Sequence, residues 1–383
     1  MIEGIPDSVG RILEILENKG FESYLVGGCV RDLLLGKYPK DWDICTAAKP
    51  QEMKELFPLS LDLGAKFGTL GVQTSEGIVE ITTFREEGAY LDCRHPQVSF
   101  VGDVRLDLKR RDFSINAMAY HPKKGLIDDF GGREDLSCRV LRSVGEADLR
   151  FQEDALRILR LVRFSCVLGF APQIDTLQSA LRFKQNLFMI AKERIRDELV
   201  LALQGEFFVD FFKTYEEIFA LVLPELKKPR RHKISNLSLL FAFLLEGDEG
   251  YKALERLKFS KAMVDRVRIL LRYKNFTIEE NRIALKLLLK EIGYDCLMAL
   301  LELKKINGEN VKKPYALVQG IMIDDECFCL KDLSVNGEDM KKLGFLGEEI
   351  GKVLEKLLLD VIYERIPNQK ESLIIRAIEE KSI

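Results

Sequence analysis

The sequence predicts an α+β chain in which an N-terminal mixed sheet with helices precedes an elongated all-α region. Two observations lead there. Up to about residue 140, short runs rich in β-branched and aromatic residues alternate with helical stretches and are punctuated by glycine turns. From about Asp148, one helical period follows another with few glycines between them.

Taken in order, Ser8 to Asn18 carries Val9, Ile12, Leu13 and Leu16 on one helical face and stops at Gly20. Tyr24 to Val26 then reads as a strand broken at Gly27 and Gly28, which open a helix over Val30 to Leu35. Strands are expected over Trp42 to Thr46, Thr69 to Thr74 and Ile78 to Phe84, the last two joined by a turn at Ser75 to Gly77. Phe113 to Tyr120 and Leu126 to Phe130 flank another turn, Pro122 to Gly125. Beyond them, Ala155 to Val167 and Ala191 to Leu203 are the clearest helices, and Lys227 to Lys233 reads as a basic connector.

The 383 residues suffice for two to four modules, given domains of about 100 to 150 residues. No apolar run approaches the roughly 20 residues of a membrane span, and an early acid stands where a signal peptide carries positive charge, so a cytoplasmic chain without a membrane partner is expected. Eight cysteines and three histidines show no zinc-type spacing, which favours reduced, packed thiols. A net charge of -3 argues against indiscriminate coating of nucleic acid but permits a local basic groove.

The chemistry concentrates between Leu25 and Thr46. On a strand, residues two apart share a face, so Asp41 and Asp43 present their carboxylates together while Trp42 turns away. Two close carboxylates attract divalent cations, and Mg2+ favours such oxygens combined with substrate phosphates. An acidic turn exposed to solvent has the same local pattern. The glycine pair decides between them: Gly27 and Gly28 end a strand and open a helix, where bare N–H groups cradle phosphate, and Arg31 in the first turn adds a bidentate contact. No third glycine completes a dinucleotide fingerprint. The combination points to a nucleoside triphosphate held by its phosphates and by metal, with Glu80 a candidate third carboxylate or else an exposed strand residue.

Five ordered motifs then resemble the class II tRNA nucleotidyltransferase and poly(A) polymerase family of the polymerase-β-like superfamily: LVGGCVRDLLLG with DWD, RRDFSINAMAY, DDFGGREDL, EDALRILRLVRF and AKERIRDEL. The resemblance implies a catalytic head (1–140), a nucleotide-selecting neck (141–205), a body (206–305) and a tail (306–383) in a seahorse arrangement. It also implies Mg2+ at Asp41 and Asp43, phosphate contacts from Gly28 and Arg31, and nucleotide contacts from Arg111 and, at the ribose, Asp112. ATP, CTP and tRNA are the implied partners, DNA is not, and a homo-oligomer is left open.

Glu153, Asp154 and Arg157 are expected on one helix face, where spacings of three and four meet. A carboxylate there accepts from an exocyclic amino group while a guanidinium donates to the neighbouring ring acceptor, which selects cytosine and adenine over uracil and guanine. Glu153 would hold the guanidinium in plane. The plain alternative is a solvated salt-bridge face, which the family resemblance disfavours. Arg160 and Arg163 reach the nucleotide by the same resemblance.

The motifs are common to enzymes adding CCA, A or CC and to poly(A) polymerases. Residues 85–100 resemble the head loop that CCA-adding members use in passing from cytidine to adenosine, although His95 stands where the family often has arginine, and Leu63 to Gly68 lacks the basic signature of poly(A) polymerases. Asp332 to Leu358 resembles the tail segment that meets the tRNA elbow. Template-independent CCA addition is therefore expected; A-only or CC-only addition with a partner enzyme, poly(A) synthesis and a noncatalytic tRNA-binding scaffold remain the alternatives.

Overall fold

The computed structural model describes residues 3–90, 96–226 and 229–381. They form two compact units, Met1–Lys233 and Ile234–Ile383.

The first unit begins with helix α1 (Asp7–Asn18), whose Val9, Ile12, Leu13 and Leu16 are buried and whose end is turned by Gly20 at φ +83°. Strand β1 (Ser23–Val26) runs into α2 (Gly28–Leu34), followed by β2 (Trp42–Thr46) and α3 (Pro50–Leu56). Then come β3 (Leu61–Gly64), β4 (Thr69–Thr74), β5 (Gly77–Thr83), β6 (Arg85–Tyr90), β7 (Pro96–Phe100) and α4 (Val104–Lys109). Strands β8 (Ala119–His121) and β9 (Gly125–Ile127) complete a seven-stranded sheet ordered β3-β4-β5-β2-β1-β8-β9. Only β2 and β5 pair in parallel within it. Leu25, Ile44 and Ile81 at its centre are fully buried, so apolar packing fixes the register that places the polar residues beside them.

The expected strand Phe113 to Tyr120 is mostly irregular. Asp112 accepts from the Phe113 N–H and from Asn116, and Ser114 donates to Asp135 at 2.5 Å. These side chains offer the backbone partners other than a ladder, leaving a 3-10 turn at Ser114–Asn116 and a strand only from Ala119. Strands β6 and β7 form a separate hairpin, with Arg85 opposite Phe100; His95 lies outside the described residues.

Helices α5 (Gly132–Cys138), α6 (Ala147–Glu153), α7 (Leu156–Leu168), α8 (Ile174–Phe183) and α9 (Lys192–Leu203) follow. The α6–α7 break corrects the single helix expected across Glu153, Asp154 and Arg157. Asp154 is extended (φ -140°, ψ 102°), and its Oδ1 accepts the Leu156 N–H at 2.9 Å, so it caps the next helix instead of continuing the last. An aspartate just before an apolar run is a helix-start signal that the spacing argument overlooked.

The second unit is helical from Leu237–Leu244 to Lys370–Lys381. Its C-terminal part packs around fully buried Met340, Leu357, Leu358, Ile362 and Leu373.

Candidate active site

A cavity of about 570 Å3 in the first unit is lined by Gly27, Gly28, Arg31, Asp41, Asp43, Arg111, Asp112, Asp154, Arg157, Arg160 and Arg163, every one singled out in the sequence. Arg110, Asn116, Leu156, Phe164 and Arg194 line it as well. Those five lie inside the quoted motifs RRDFSINAMAY, EDALRILRLVRF and AKERIRDEL, so the signal for them was their neighbourhood.

The glycine turn has a steric cause. Gly27 sits at φ +74°, and a Cβ there would stand 2.9 Å from Arg111 Nη1 and 3.9 Å from Asp43 Oδ2. Only glycine lets the chain turn this tightly against both. Helix α2 then begins with N–H groups that have no carbonyl partner in their own helix. Cys29 ties it to β2, its Sγ lying 3.3 Å from the Val26 carbonyl and 3.6 Å from that of Asp43.

Asp41, just before β2, is exposed, whereas Asp43 is half-buried on the strand. Burial pushes the Asp43 carboxyl up to about 6, with the Glu80 and Asp41 charges adding to the rise and Arg111 and Arg31 opposing it. A carboxylate whose charge is disfavoured by burial, with a second one beside it in the same cavity, suits a divalent cation. Glu80 is Asp43's partner in the β2–β5 register, yet it is exposed and does not line the cavity. Among the described residues, no three acidic, histidine or cysteine side chains gather around one common position.

The arginines are individually anchored. Arg31 donates to Asn116 Oδ1 at 2.8 Å and to Asp32 at 2.9 Å. Asp107, fully buried on α4, accepts from Arg110 Nη2 at 2.8 Å and Arg111 Nη2 at 3.1 Å. Arg160 Nε donates to Asp112 Oδ2 at 2.6 Å. Burial would raise Asp112, but the Arg160 guanidinium and the hydrogen bonds from Asn116 and Phe113 hold it at about 2. Arg163 is paired with Glu198, their closest atoms 2.6 Å apart. The guanidiniums of Arg31, Arg160 and Arg163 lie 5.5, 5.3 and 4.1 Å from the centre of the Phe164 ring, whose face attracts cations. Overall, seven arginines and four aspartates line the cavity, a local excess of three positive charges in a chain of net charge -3.

At the neck end, Arg157 Nη1 donates to Glu153 Oε2 at 2.8 Å, and Nη2 donates to the Arg110 carbonyl at 2.8 Å. Asp154 meets Arg194 of α9 at 3.2 Å, a contact across 40 residues made possible by the helix break. Each carboxylate oxygen has two lone pairs, so Asp154 retains acceptor capacity beside its bonds to Leu156 and Arg194. A guanidinium and a carboxylate thus share one cationic cavity with the carboxylates of Asp41 and Asp43. That arrangement can read a base, hold phosphates and place a metal ion.

Comparison with known proteins places the whole chain. Residues 23–142 match the poly A polymerase head domain, and 232–377 match a putative domain 2 of tRNA nucleotidyltransferases. A CCA-adding enzyme of Lactobacillus delbrueckii subsp. bulgaricus is 36% identical, covering 94% of this chain and 95% of its own. Another, from Ligilactobacillus salivarius, is 33% identical over the whole of both chains. The Bacillus stearothermophilus CCA-adding enzyme, solved in complex with CTP, superposes with a TM-score of 0.85 at 28% identity, covering 98% of this chain and 97% of its own. By sequence along its full length and by fold, the chain belongs to the CCA-adding enzymes, a family of tRNA nucleotidyltransferases that generally depend on divalent metal ions.

Proposed function

We infer that this cavity takes CTP and then ATP, and that the chain adds C, C and A to the 3′ end of tRNA without a template, releasing pyrophosphate at each step. The observation that carries the reading is the cavity's lining: the carboxylates of Asp41 and Asp43, a surplus of guanidiniums for a polyphosphate, and Asp154 with Arg157 for a base. The attacking group is the tRNA 3′ hydroxyl. Its oxygen forms a bond to the α-phosphorus, the bond to the bridging oxygen breaks, pyrophosphate leaves and the hydroxyl proton passes to solvent.

In this reading Arg31, Arg111, Arg160 and Arg163 bind the triphosphate, Gly27 and Gly28 let the backbone approach it, and Asp112 holds Arg160 while facing the sugar. Asp154 accepts from the exocyclic amino group shared by cytosine and adenine, and Arg157 donates to the adjacent ring acceptor. Glu153 keeps Arg157 in plane. Asp41 and Asp43 would hold Mg2+, with Glu80 beside them; when bound, the ion activates the attacking hydroxyl and neutralises charge on the phosphates. The head, neck, body and tail assigned from the resemblance serve catalysis, base selection and tRNA contact in turn. No described helix is long and apolar enough to cross a membrane, and we place the activity in the cytoplasm.

The test supplies tRNA ending before CCA, or after CC, with each triphosphate alone and mixed. The expected result is C addition to the first, A addition to the second and pyrophosphate release in both. Addition of A alone would assign a partial activity requiring a partner enzyme, and no pyrophosphate release at all would end the catalytic reading.

A further inference from the structure

Two of the arginines assigned to the triphosphate share a carboxylate that is not part of the cavity's lining. Glu198 lies on α9 inside the AKERIRDEL motif, and its side chain is 13% exposed. Its Oε2 is 2.6 Å from Arg163 Nε and its Oε1 is 3.7 Å from Arg160 Nη1. The closer contact is one of charge without alignment, since neither Arg163 Nε nor Glu198 Oε2 has a hydrogen-bond partner among the described residues. A buried ion pair offsets its desolvation through good hydrogen bonds. This one lacks them, so fold stability is a poor account of it. What the carboxylate does supply is negative charge where guanidiniums crowd: Arg31, Arg160 and Arg163 all lie within 5.5 Å of the centre of the Phe164 ring. Burial pushes the Arg163 guanidinium below its ordinary value, with Glu198 the strongest influence against that and Arg160 and Arg31 adding to the fall. Arg160 has a second carboxylate, Asp112, at 2.6 Å, whereas Glu198 is the acidic partner of Arg163.

We propose that Glu198 is a positioning residue for product release: acting through Arg163 and Arg160, it weakens the cavity's hold on pyrophosphate so that the site empties between successive additions. The chemistry sets the need. Cleavage at the α-phosphorus leaves the β- and γ-phosphates together as pyrophosphate, still carrying the oxygens by which guanidiniums hold the end of a triphosphate. Groups that bind those oxygens in the substrate bind them in the product as well, and such uniform binding does not speed the chemical step. Nucleotides are added in turn, so the same arginines must let go after each one. A carboxylate fixed beside them lowers the positive field that the phosphates feel without taking their place. Because the pair is largely buried, salt screens it little.

The inference rests on the CCA-adding reading, and the experiment separates the two. With the full chain and Mg2+ in the buffer, pyrophosphate affinity is measured by calorimetry, the KM for CTP by steady-state addition to tRNA lacking CCA, and the chemical step by single turnover at saturating CTP. Glu198→Gln keeps the shape and removes the charge. Its dissociation constant for pyrophosphate and its KM for CTP are expected to fall together on the order of tenfold, the scale of one charge contact in a partly buried site, while the single-turnover rate stays near that of wild type. Glu198→Asp keeps the charge and is expected to bind pyrophosphate much as wild type does. In an Arg163→Gln background the effect of Glu198→Gln should shrink, because the guanidinium that transmits it is gone. A purely structural role predicts the reverse, weaker pyrophosphate binding and slower single turnover, as loosened arginines lose their grip. Where Glu198→Gln does not fold, Glu198→Met supplies the same reading, since it fills the space and leaves no polar group of its own unpaired. Unchanged or weakened pyrophosphate binding in the neutral variants, or an effect undiminished without Arg163, overturns the inference, while C addition by wild type keeps the functional reading intact. If wild type adds no nucleotide, the functional reading itself falls.

Discussion

Arg194 reaches Asp154 across 40 residues of sequence, its Nη2 lying 3.2 Å from Asp154 Oδ2. The contact holds the carboxylate at the cavity wall after the chain has left helix α6. Asp154→Ala or Arg157→Ala should reduce preference for CTP and ATP over UTP and GTP by about 5- to 150-fold, the discrimination expected of a bidentate base contact. Arg194→Ala should reduce it less, because Asp154 retains its bond to Leu156. Single-nucleotide incorporation with each of the four triphosphates measures this; unchanged discrimination in Asp154→Ala would remove that residue from base selection.

If Asp41 and Asp43 hold the metal as proposed, Asp41→Ala and Asp43→Ala should each lower turnover with CTP by about a thousandfold, since losing such an oxygen would forfeit several kcal/mol of charge stabilisation. Nucleotide binding should suffer far less, as the arginines remain. Single-turnover kinetics with separate binding titrations distinguishes the two, and near-native turnover in either variant would refute the assignment.

Burial raises the Asp43 carboxyl to about 6, so a proton competes there with a cation. At limiting divalent cation, kcat/KM should fall as pH drops through about 6. Raising the cation concentration should move this acid limb to lower pH. A limb that ignores cation concentration would belong to another group.

Gly27→Ala should lose about 1 to 3 kcal/mol of stability, the usual cost of a strained backbone conformation, because its φ is +74° and the new Cβ would press on Arg111 Nη1. The KM for nucleotide should rise as Arg111 is displaced. Gly28→Ala is the control: its nearest atom, Arg31 Nη2, would be at 3.7 Å, an ordinary contact. Equal denaturant midpoints for the two variants would contradict this account.

Asp112 is held at about 2, below its ordinary 3.8, once burial and the opposing pull of Arg160 are both counted. A lowered carboxyl stabilises the fold above its unfolded value and loses that contribution as pH falls through the folded one. Asp112→Asn should therefore cost about 2 kcal/mol near neutral pH, at roughly 1.4 kcal/mol per pKa unit. The gap from wild type in denaturant unfolding should close between about pH 4 and pH 2. A constant gap over that window would show that the charge is not its source.

Local spacing made much of the site legible. A glycine pair before a carboxylate pair needs only the strand period and the helix start to define its purpose, and Gly27, Gly28, Arg31, Asp41 and Asp43 do line one cavity. Spacing failed where a side chain competed with the backbone. Glu153 to Arg157 fits a helical face, but Asp154 caps a new helix, and the Asp112 and Ser114 side chains interrupt the strand expected from Phe113.

By itself, then, the sequence determined the α+β order of elements and the glycine and carboxylate pairs, which depend on residue type and on periods of two and 3.6, while its motifs gave Arg111, Asp112, Arg160 and Arg163 by resemblance to a family. Tertiary structure alone decided that Arg31 joins Arg160 and Arg163 at the Phe164 ring, that Asp154 answers to Arg194, and that the Arg110 carbonyl orients Arg157. Those contacts join residues far apart along the chain, and the packing of the first unit brings them together; no local period encodes such a meeting.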